Sequence, residues 1–342
     1  MRIVHLPFYD DNPYQSLLIE AQRELGYEVW EGGGGGNFIG VALREWKADL
    51  VHFHWLHPYL LRESAAASIA RSSRFLVEVA LLKARGARIV WTIHNLVNHD
   101  GKHANIERWF SAQFAKKCDR CFVHSQAAAD AAGKRFSIPP EKLSVIPHGH
   151  YLNVYPNTIS PSAARETLKV PADARVYLFL GRIEPYKGVF DLIDAFRHLP
   201  SDCHLLIAGK VADSALLPEL EEKIRENPQI HLHPKRIPDE DMQCFYKAAD
   251  VVVFPFQKIL TSGSLVLAMS FGKAVLAPQV PSLEEVVPVD GVIWFTPGEA
   301  DSLADALFRC QNIDVRRAGT VNLEKVRTWD WQSIAKSVSL GS

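Results

Sequence analysis

The chain has 342 residues, long for one core and comfortable for two domains. Lysine plus arginine number 38 and aspartate plus glutamate 39, so the net charge is −1 and no basic excess points to a nucleic-acid partner. Any anion site must therefore be local.

The opening run Met1–Leu6 soon meets Asp10 and Asp11, so no secretory leader is expected. No stretch of about 18 apolar residues predicts a transmembrane helix. Five cysteines are scattered, which suits a reducing, cytoplasmic compartment. Cys118-Asp-Arg-Cys121 has metal-like or redox-like spacing, but it lacks a second cysteine pair and Cys121 opens an apolar run. A structural role is the expectation there.

Short apolar runs alternate with helical stretches. In the first half, strands are expected at Arg2–Leu6, Leu50–Phe53, Arg88–Thr92, Arg120–His124 and Leu143–Ile146. Helices are expected at Gln15–Leu25, Ser64–Lys83, Asn105–Lys117 and Ala127–Phe136. The five glycines of Gly32–Gly36 read as a loop, with no helical pattern after them that would make a dinucleotide fingerprint. Pro147–Pro161, rich in Pro, Asn and Tyr, reads as a linker. Strands then resume at Val176–Leu180, His204–Ala208, Ile230–His233, Val251–Phe254, Ala274–Ala277 and Val292–Phe295. Their helices are expected at Asp191–Leu199, Pro218–Asn227, Glu240–Ala249, Ser264–Phe271, Ser302–Gln311 and Arg316–Thr328.

Such alternation predicts an α/β protein of two doubly wound, Rossmann-like halves. The boundaries are 1–154, 155–328 and a tail, 329–342, whose Trp329, Trp331 and Ile334 suit a helix packing back on the first domain.

In open α/β sheets, ligands bind beyond the carboxyl ends of the strands. Gly181-Arg182-Ile-Glu184-Pro-Tyr-Lys187-Gly188 lies at such an end, and its two cations can converge on one pyrophosphate, unless they are a solvated surface pair. Thr261-Ser262-Gly263-Ser264-Leu265 opens a helix, where free N–H groups favour an anion, although an ordinary N-cap reads the same way. Lys258 adds a third cation. Together these describe a cradle for the diphosphate of a nucleotide sugar.

Polar residues also end the first-half strands: His52, His54, Trp55 and His57; His94, Asn95, His99 and Asp100; His124 and Ser125; His148, His150 and Tyr151. They read as one wall of a cleft. Alternation along a strand lets only His52 and His54 share a face, with no carboxylate or cysteine nearby, so no metal is expected.

These motifs resemble the GT-B fold glycosyltransferases of the broad bacterial polysaccharide and glycolipid family. The matching pieces run in order. They are Gly181-Arg182 with Lys187-Gly188, Ala208-Gly209, Ala248–Pro255, the Ser-Gly-Ser loop, Ala268–Val275, Glu284-Glu285-Val286 and Thr296-Pro-Gly298. The first half matches more loosely, through Asn12-Pro13, His94-Asn95, His124-Ser125 and Ile146–Gly149.

The resemblance implies two facing domains with the reaction in their cleft. It places Arg182, Lys187, Gly188, Lys258, Thr261, Ser262, Gly263, Ser264 and Leu265 at the donor, with the nucleoside near Lys210–Val211 and Arg236–Ile237. Asn12, Trp55, His124, His148 and Tyr151 fall to the sugar or acceptor. Retaining members commonly carry a Glu-x7-Glu element, but here those positions are Ile259 and Leu267. The chain is thus more similar to the branch that includes inverting β-mannosyltransferases acting on lipid-linked oligosaccharides.

Inversion needs a base for the acceptor hydroxyl. Asp100 is the expected base, Asp11 the second choice, with His94, His99 and His54 orienting sugar. No cofactor or metal is expected. The partners implied are a nucleotide sugar, with GDP-mannose preferred, and a glycan or lipid-linked acceptor. The helix Ile106–Lys117, aromatic and basic, would either rest on the inner membrane face or simply face the core. A retaining enzyme using a UDP-sugar, a nucleotide-sugar epimerase and a non-catalytic nucleotide-sugar binder are the alternatives.

Overall fold

The computed structural model describes residues 1–32, 48–97, 102–257 and 259–340. The chain divides into two compact units, Met1–Gly149 with Trp329–Ser342, and His150–Thr328.

The first unit holds β1 (Arg2–Leu6), β2 (Glu28–Glu31), β3 (Leu50–Phe53), β4 (Arg88–Thr92), β5 (Arg120–Val123) and β6 (Leu143–Val145). All pair in parallel, in the order β2-β1-β3-β4-β5-β6. Every residue of β3 is buried, as a sheet covered on both faces requires. The long helices Ala65–Ala84 and Ala104–Lys117 pack on each other. The strand order reverses between β1 and β3, which makes that junction a topological switch point.

The second unit holds β7 (Arg175–Leu180), β8 (Cys203–Ala208), β9 (Ile230–His233), β10 (Val251–Val253), β11 (Ala274–Pro278) and β12 (Val292–Phe295). Their order is β12-β11-β10-β7-β8-β9, again parallel. Renumbered from the unit's start this is 3-2-1-4-5-6, the dinucleotide-fold order, with its switch point between β7 and β10. Asp250 fixes the start of that pair: Oδ2 accepts from Val176 N at 2.8 Å and from Arg165 Nη2 at 3.0 Å.

The last helix, Trp331–Leu340, belongs to the first unit. Trp331, Ile334, Ala335 and Val338 bury against Tyr14, Leu18 and Ile19 of the helix Pro13–Glu24. Burying each large side chain there is worth about 1.5–3 kcal/mol. Polar ties extend the seam: Gln22 Nε2 donates to Ser339 Oγ at 3.0 Å, and Arg88 Nη2 to the Ser339 carbonyl at 2.7 Å.

The structure departs from the sequence expectations in several places. The unit boundary comes at 149/150 and not at 154/155, because Tyr151 N already donates to Ser270 Oγ at 3.1 Å within the second unit. The segment read as linker, Pro147–Pro161, runs into a further helix, Pro161–Thr167, capped by Ser160 Oγ accepting from Ala163 N. Strand β2 and the short helix His57–Leu60 are additions. Cys118 and Cys121 are both buried and unbridged, and burial pushes the Cys118 thiol well up, which disfavours a reactive thiolate. Among the described residues no helix is long and apolar enough to cross a membrane.

Candidate active site

The second unit gathers its candidate residues at the switch point between β7 and β10. Beyond β7 the chain runs through Gly181–Glu184 into a turn, Pro185–Lys187, and then the helix Val189–Phe196. Gly188 sits at φ 70°, and a Cβ there would lie 2.0 Å from the Pro255 carbonyl oxygen, just past β10. Only glycine lets the two loops meet so closely. Gly209, past β8, has φ 142°, and a Cβ there would lie 1.9 Å from the Gly181 carbonyl oxygen. Glycines at 181, 188 and 209 thus bring backbone from three strand ends together.

Charge is concentrated on the same loop. Arg182 Nε donates to Glu184 Oε1 at 2.9 Å, with the Arg182 side chain 61% exposed and Glu184 only 20%. A guanidinium this open keeps donors for a ligand. Burial pushes the Lys187 ammonium down, Glu184 pulls it back up, and Arg182 lowers it. Glu184 raises the Tyr186 hydroxyl further, after burial, and bonds to it. Glu184 is therefore the organiser of the cation pair. Its position between Arg182 and Lys187 was visible in the sequence, but a carboxylate beside a phosphate site is not an intuitive choice.

Ser262 caps the helix Gly263–Ser270, its Oγ accepting from Leu265 N at 3.1 Å. The first N–H groups, of Gly263 and Ser264, remain as helix-end donors. Leu265 is corrected here: its N–H is used by the cap and its side chain is buried, so it offers an anion nothing. Thr261, Ser262, Gly263 and Ser264 are half-buried. Lys258 lies outside the described residues.

The first unit gathers six histidines, His5 among them, which the sequence reading did not single out. His5 is the penultimate residue of β1, in register with His52 on β3. His54 follows β3, His94 follows β4, His124 follows β5 and His148 follows β6. All six rings are buried. His52 and His54 lie with ring centroids 4.1 Å apart, and His5 is 4.9 Å from His52. Tyr14 stands edge-on to His94, His124 and His148 at 5.0, 5.7 and 4.9 Å. Trp55 stacks on His94 at 4.6 Å.

Hydrogen bonds order the group. His5 Nε2 meets Gln22 Oε1 at 2.7 Å, and His5 Nδ1 meets His54 Nε2 at 3.0 Å. His54 Nδ1 meets His94 Nε2 at 3.2 Å, while His52 Nε2 meets Thr92 Oγ1 at 2.7 Å. His124 Nδ1 faces the Ile146 carbonyl at 3.2 Å. Burial depresses every ring: His5 and His124 to about 4, His148 to about 3, and His52, His54 and His94 well below the ordinary value. The rings are neutral at physiological pH. They therefore act as hydrogen-bonding groups rather than charges.

His5, His52 and His54 each offer a nitrogen, all within 4.8 Å of one another, so three imidazoles could meet one metal ion. The pairing of His5 with His54 already uses two of those rings, and no described carboxylate or thiolate joins them. Neutral tautomers account for that pair without an ion.

Among the other candidates, some have structural partners of their own. Asn12 is the N-cap of the first helix, Oδ1 accepting from Tyr14 N at 3.1 Å, so its oxygen is used structurally. Tyr151 belongs to the second unit, where its N–H donates to Ser270 Oγ. Asp11 is exposed. His99 and Asp100 lie outside the described residues. His5, Gln22 and Thr92 were not singled out in the sequence, because their partners are 17 to 49 residues away.

Comparison with known proteins fits this geometry. Residues 174–312 match the family model described as glycosyl transferases group 1, and residues 37–153 match glycosyltransferase family 4. A GDP-mannose:glycolipid 4-beta-D-mannosyltransferase of Xanthomonas campestris is 25% identical over 296 residues, covering 84% of this chain and 77% of that one. A D-inositol 3-phosphate glycosyltransferase of Segniliparus rotundus is 23% identical over 320 residues, 87% of this chain and 68% of the other. In fold, the chain resembles sucrose-phosphate synthase from Thermosynechococcus elongatus, with TM-score 0.79 at 18% identity over 99% and 97% of the two chains. It also resembles Anabaena Alr3699/HepE in complex with UDP-glucose, with TM-score 0.78 at 15% identity over 99% and 98%. Two parallel six-stranded sheets, a glycosyltransferase model on most of each half, and glycosyltransferase relatives aligned across over four fifths of the chain give one conclusion: the protein is a glycosyltransferase of the GT-B fold.

Proposed function

We propose that the chain transfers a sugar from a nucleoside-diphosphate donor, GDP-mannose by preference, to a hydroxyl of a glycan or lipid-linked acceptor, with inversion. The observation that carries this reading is the loop junction at Gly188 and Pro255, which sets Arg182, Lys187 and the Gly263 and Ser264 amides at the carboxyl ends of β7 and β10. The acceptor oxygen attacks the anomeric carbon as the bond from that carbon to the β-phosphate oxygen breaks. Negative charge grows on the leaving diphosphate, where guanidinium, ammonium and amide donors stabilise it. The acceptor proton passes to a carboxylate, for which Asp100 is the candidate. His94, neutral and buried, orients a sugar hydroxyl, and His54 acts through it, both its own nitrogens being taken by His5 and His94.

Three points support the finer choices. The GDP-mannose:glycolipid relative favours GDP-mannose and a lipid-linked acceptor. Ile259 and Leu267, where a retaining enzyme commonly has glutamates, favour inversion. Trp109, 56% exposed, lies with Ile69, Leu76 and Ile106 in an apolar groove beside exposed Arg108 and Lys116, a surface suited to an anionic bilayer. The HepE complexes with UDP and UDP-glucose keep a UDP-sugar donor as the second reading.

A thermal-shift screen separates the donors, because a ligand bound only by the native state raises its melting temperature. The proposal expects a rise with GDP and none with UDP, and the reverse would overturn the donor assignment. NMR of the product anomeric centre decides inversion. Asp100→Asn should retain donor binding and lose turnover.

A further inference from the structure

The string Ser339, Gln22, His5, His54, His94 runs through the first unit from the last helix to the end of β4. It joins residues from two helices, one strand and two strand-end loops, up to 317 positions apart in sequence. Its chemistry is one-directional. A neutral imidazole carries one N–H and one bare nitrogen, so each ring can donate on one side only if it accepts on the other. Any ring turned against its neighbours would set two protons, or two lone pairs, face to face in a buried site.

The direction is set at the closed end. The Gln22 amide is oriented with Nε2 donating to Ser339 Oγ at 3.0 Å and Oε1 turned to His5 Nε2 at 2.7 Å; a serine hydroxyl can serve either end of an amide, so the direction of the string rests on this orientation. An amide oxygen only accepts, so His5 carries its proton on Nε2 and leaves Nδ1 bare. His54 must then donate through Nε2 to His5 Nδ1, and its own Nδ1 accepts from His94 Nε2. The remaining nitrogen, His94 Nδ1, is left bare at the open end. His94 is 6% exposed, against 0% for His5 and 1% for His54.

We propose that Gln22, His5 and His54 are positioning residues that fix His94 as its Nε2–H tautomer, so that Nδ1 is presented as a permanent hydrogen-bond acceptor. The group that meets it must have a proton to give, so a sugar hydroxyl fits and a carboxylate does not. The selectivity rests on the reading of His94 as a sugar contact; the tautomer does not. Trp55, stacked on the ring with an interplanar angle of 18°, holds its plane, and the string holds its polarity.

The test is nitrogen-15 NMR of the histidine rings in the full-length protein at pH 7.5, without ligand. The expected result is a bare Nδ1 and a protonated Nε2 on His5, His54 and His94. In Gln22→Leu the string loses its fixed end, so the two His94 nitrogen signals should move towards a tautomer average. Turnover should fall about tenfold, the worth of one neutral hydrogen bond, with donor affinity unchanged. Should Gln22→Leu not fold, Ser339→Ala frees the amide from its anchor without touching a histidine and should shift the signals the same way. A wild-type His94 protonated on Nδ1, or a His94 tautomer indifferent to both substitutions, would overturn the proposal. Full activity in His94→Ala would instead remove the sugar contact and leave the tautomer result standing.

Discussion

The indole of Trp55 lies flat on the imidazole of His94, with ring centroids 4.6 Å apart and planes 18° from parallel. His94 is also edge-on to Tyr14 at 5.0 Å, so two aromatic neighbours fix its orientation. Such pairs contribute about 0.5–1.5 kcal/mol beyond their burial. Trp55→Ala should therefore lower kcat/KM about two- to tenfold and leave the affinity for donor nucleotide unchanged. Steady-state kinetics with a separate nucleotide titration checks both halves.

Arg182 and Lys187 stand on either side of Glu184 in sequence, with Arg182 held by an ion pair and Lys187 partly desolvated. Hydrogen bonds to charged groups contribute about 1.5–3 kcal/mol, so Arg182→Ala and Lys187→Ala should each weaken nucleoside diphosphate binding about ten- to a hundredfold. Lys187→Arg should not fully restore it, because a planar fork does not fill the place of a point charge. Isothermal titration gives the constants, and unchanged affinity in both alanine variants would contradict the phosphate assignment.

Gly188 takes a left-handed conformation against the Pro255 carbonyl. Gly188→Ala should cost at least about 2 kcal/mol of stability, from backbone strain and from the displaced loop, and should abolish donor binding in the fraction that folds. Denaturant midpoints and a nucleotide titration on the same sample test this. An unshifted midpoint would mean that the two loops do not meet as described.

The buried histidines predict a pH profile for stability. In the unfolded chain they titrate near the ordinary value of about 6.5. In the native protein burial holds His5 and His124 at about 4 and His148 at about 3. Between those values the unfolded state binds protons that the native state refuses, so stability is lost as pH falls from about 6.5. The slope is up to about 1.4 kcal/mol per pH unit for each such ring. Urea midpoints between pH 7 and pH 5, above most carboxylate titrations, should fall steadily, and a flat profile would contradict neutral burial.

Much of the fold was legible because parallel strands buried on both faces are short, unbroken apolar runs. Val251-Val-Val253 and Ile89-Val-Trp91 are such runs. Strand β2, Glu28-Val-Trp-Glu31, was not legible: it is an edge strand with one buried residue of four, so burial leaves no pattern. The helix Pro161–Thr167, which begins where the segment read as linker stops, was not legible because it buries only Ala164. On the site side, Gly181–Gly188 could be read because its cations and glycines are local. His5 and Gln22 could not, since their role exists only after β1, β3 and the last helix have packed. Leu265 and Asn12 were read as ligand contacts when the helix starts needed them as capping partners.

The central claim is that the second unit grips the donor through its two linked phosphates. A crystal structure with a non-transferable nucleotide-sugar analogue tests it most directly. The account predicts phosphate oxygens within hydrogen-bonding reach of Arg182, Lys187 and the Gly263 and Ser264 amides. Phosphates resting elsewhere, with those four groups facing solvent, would contradict it.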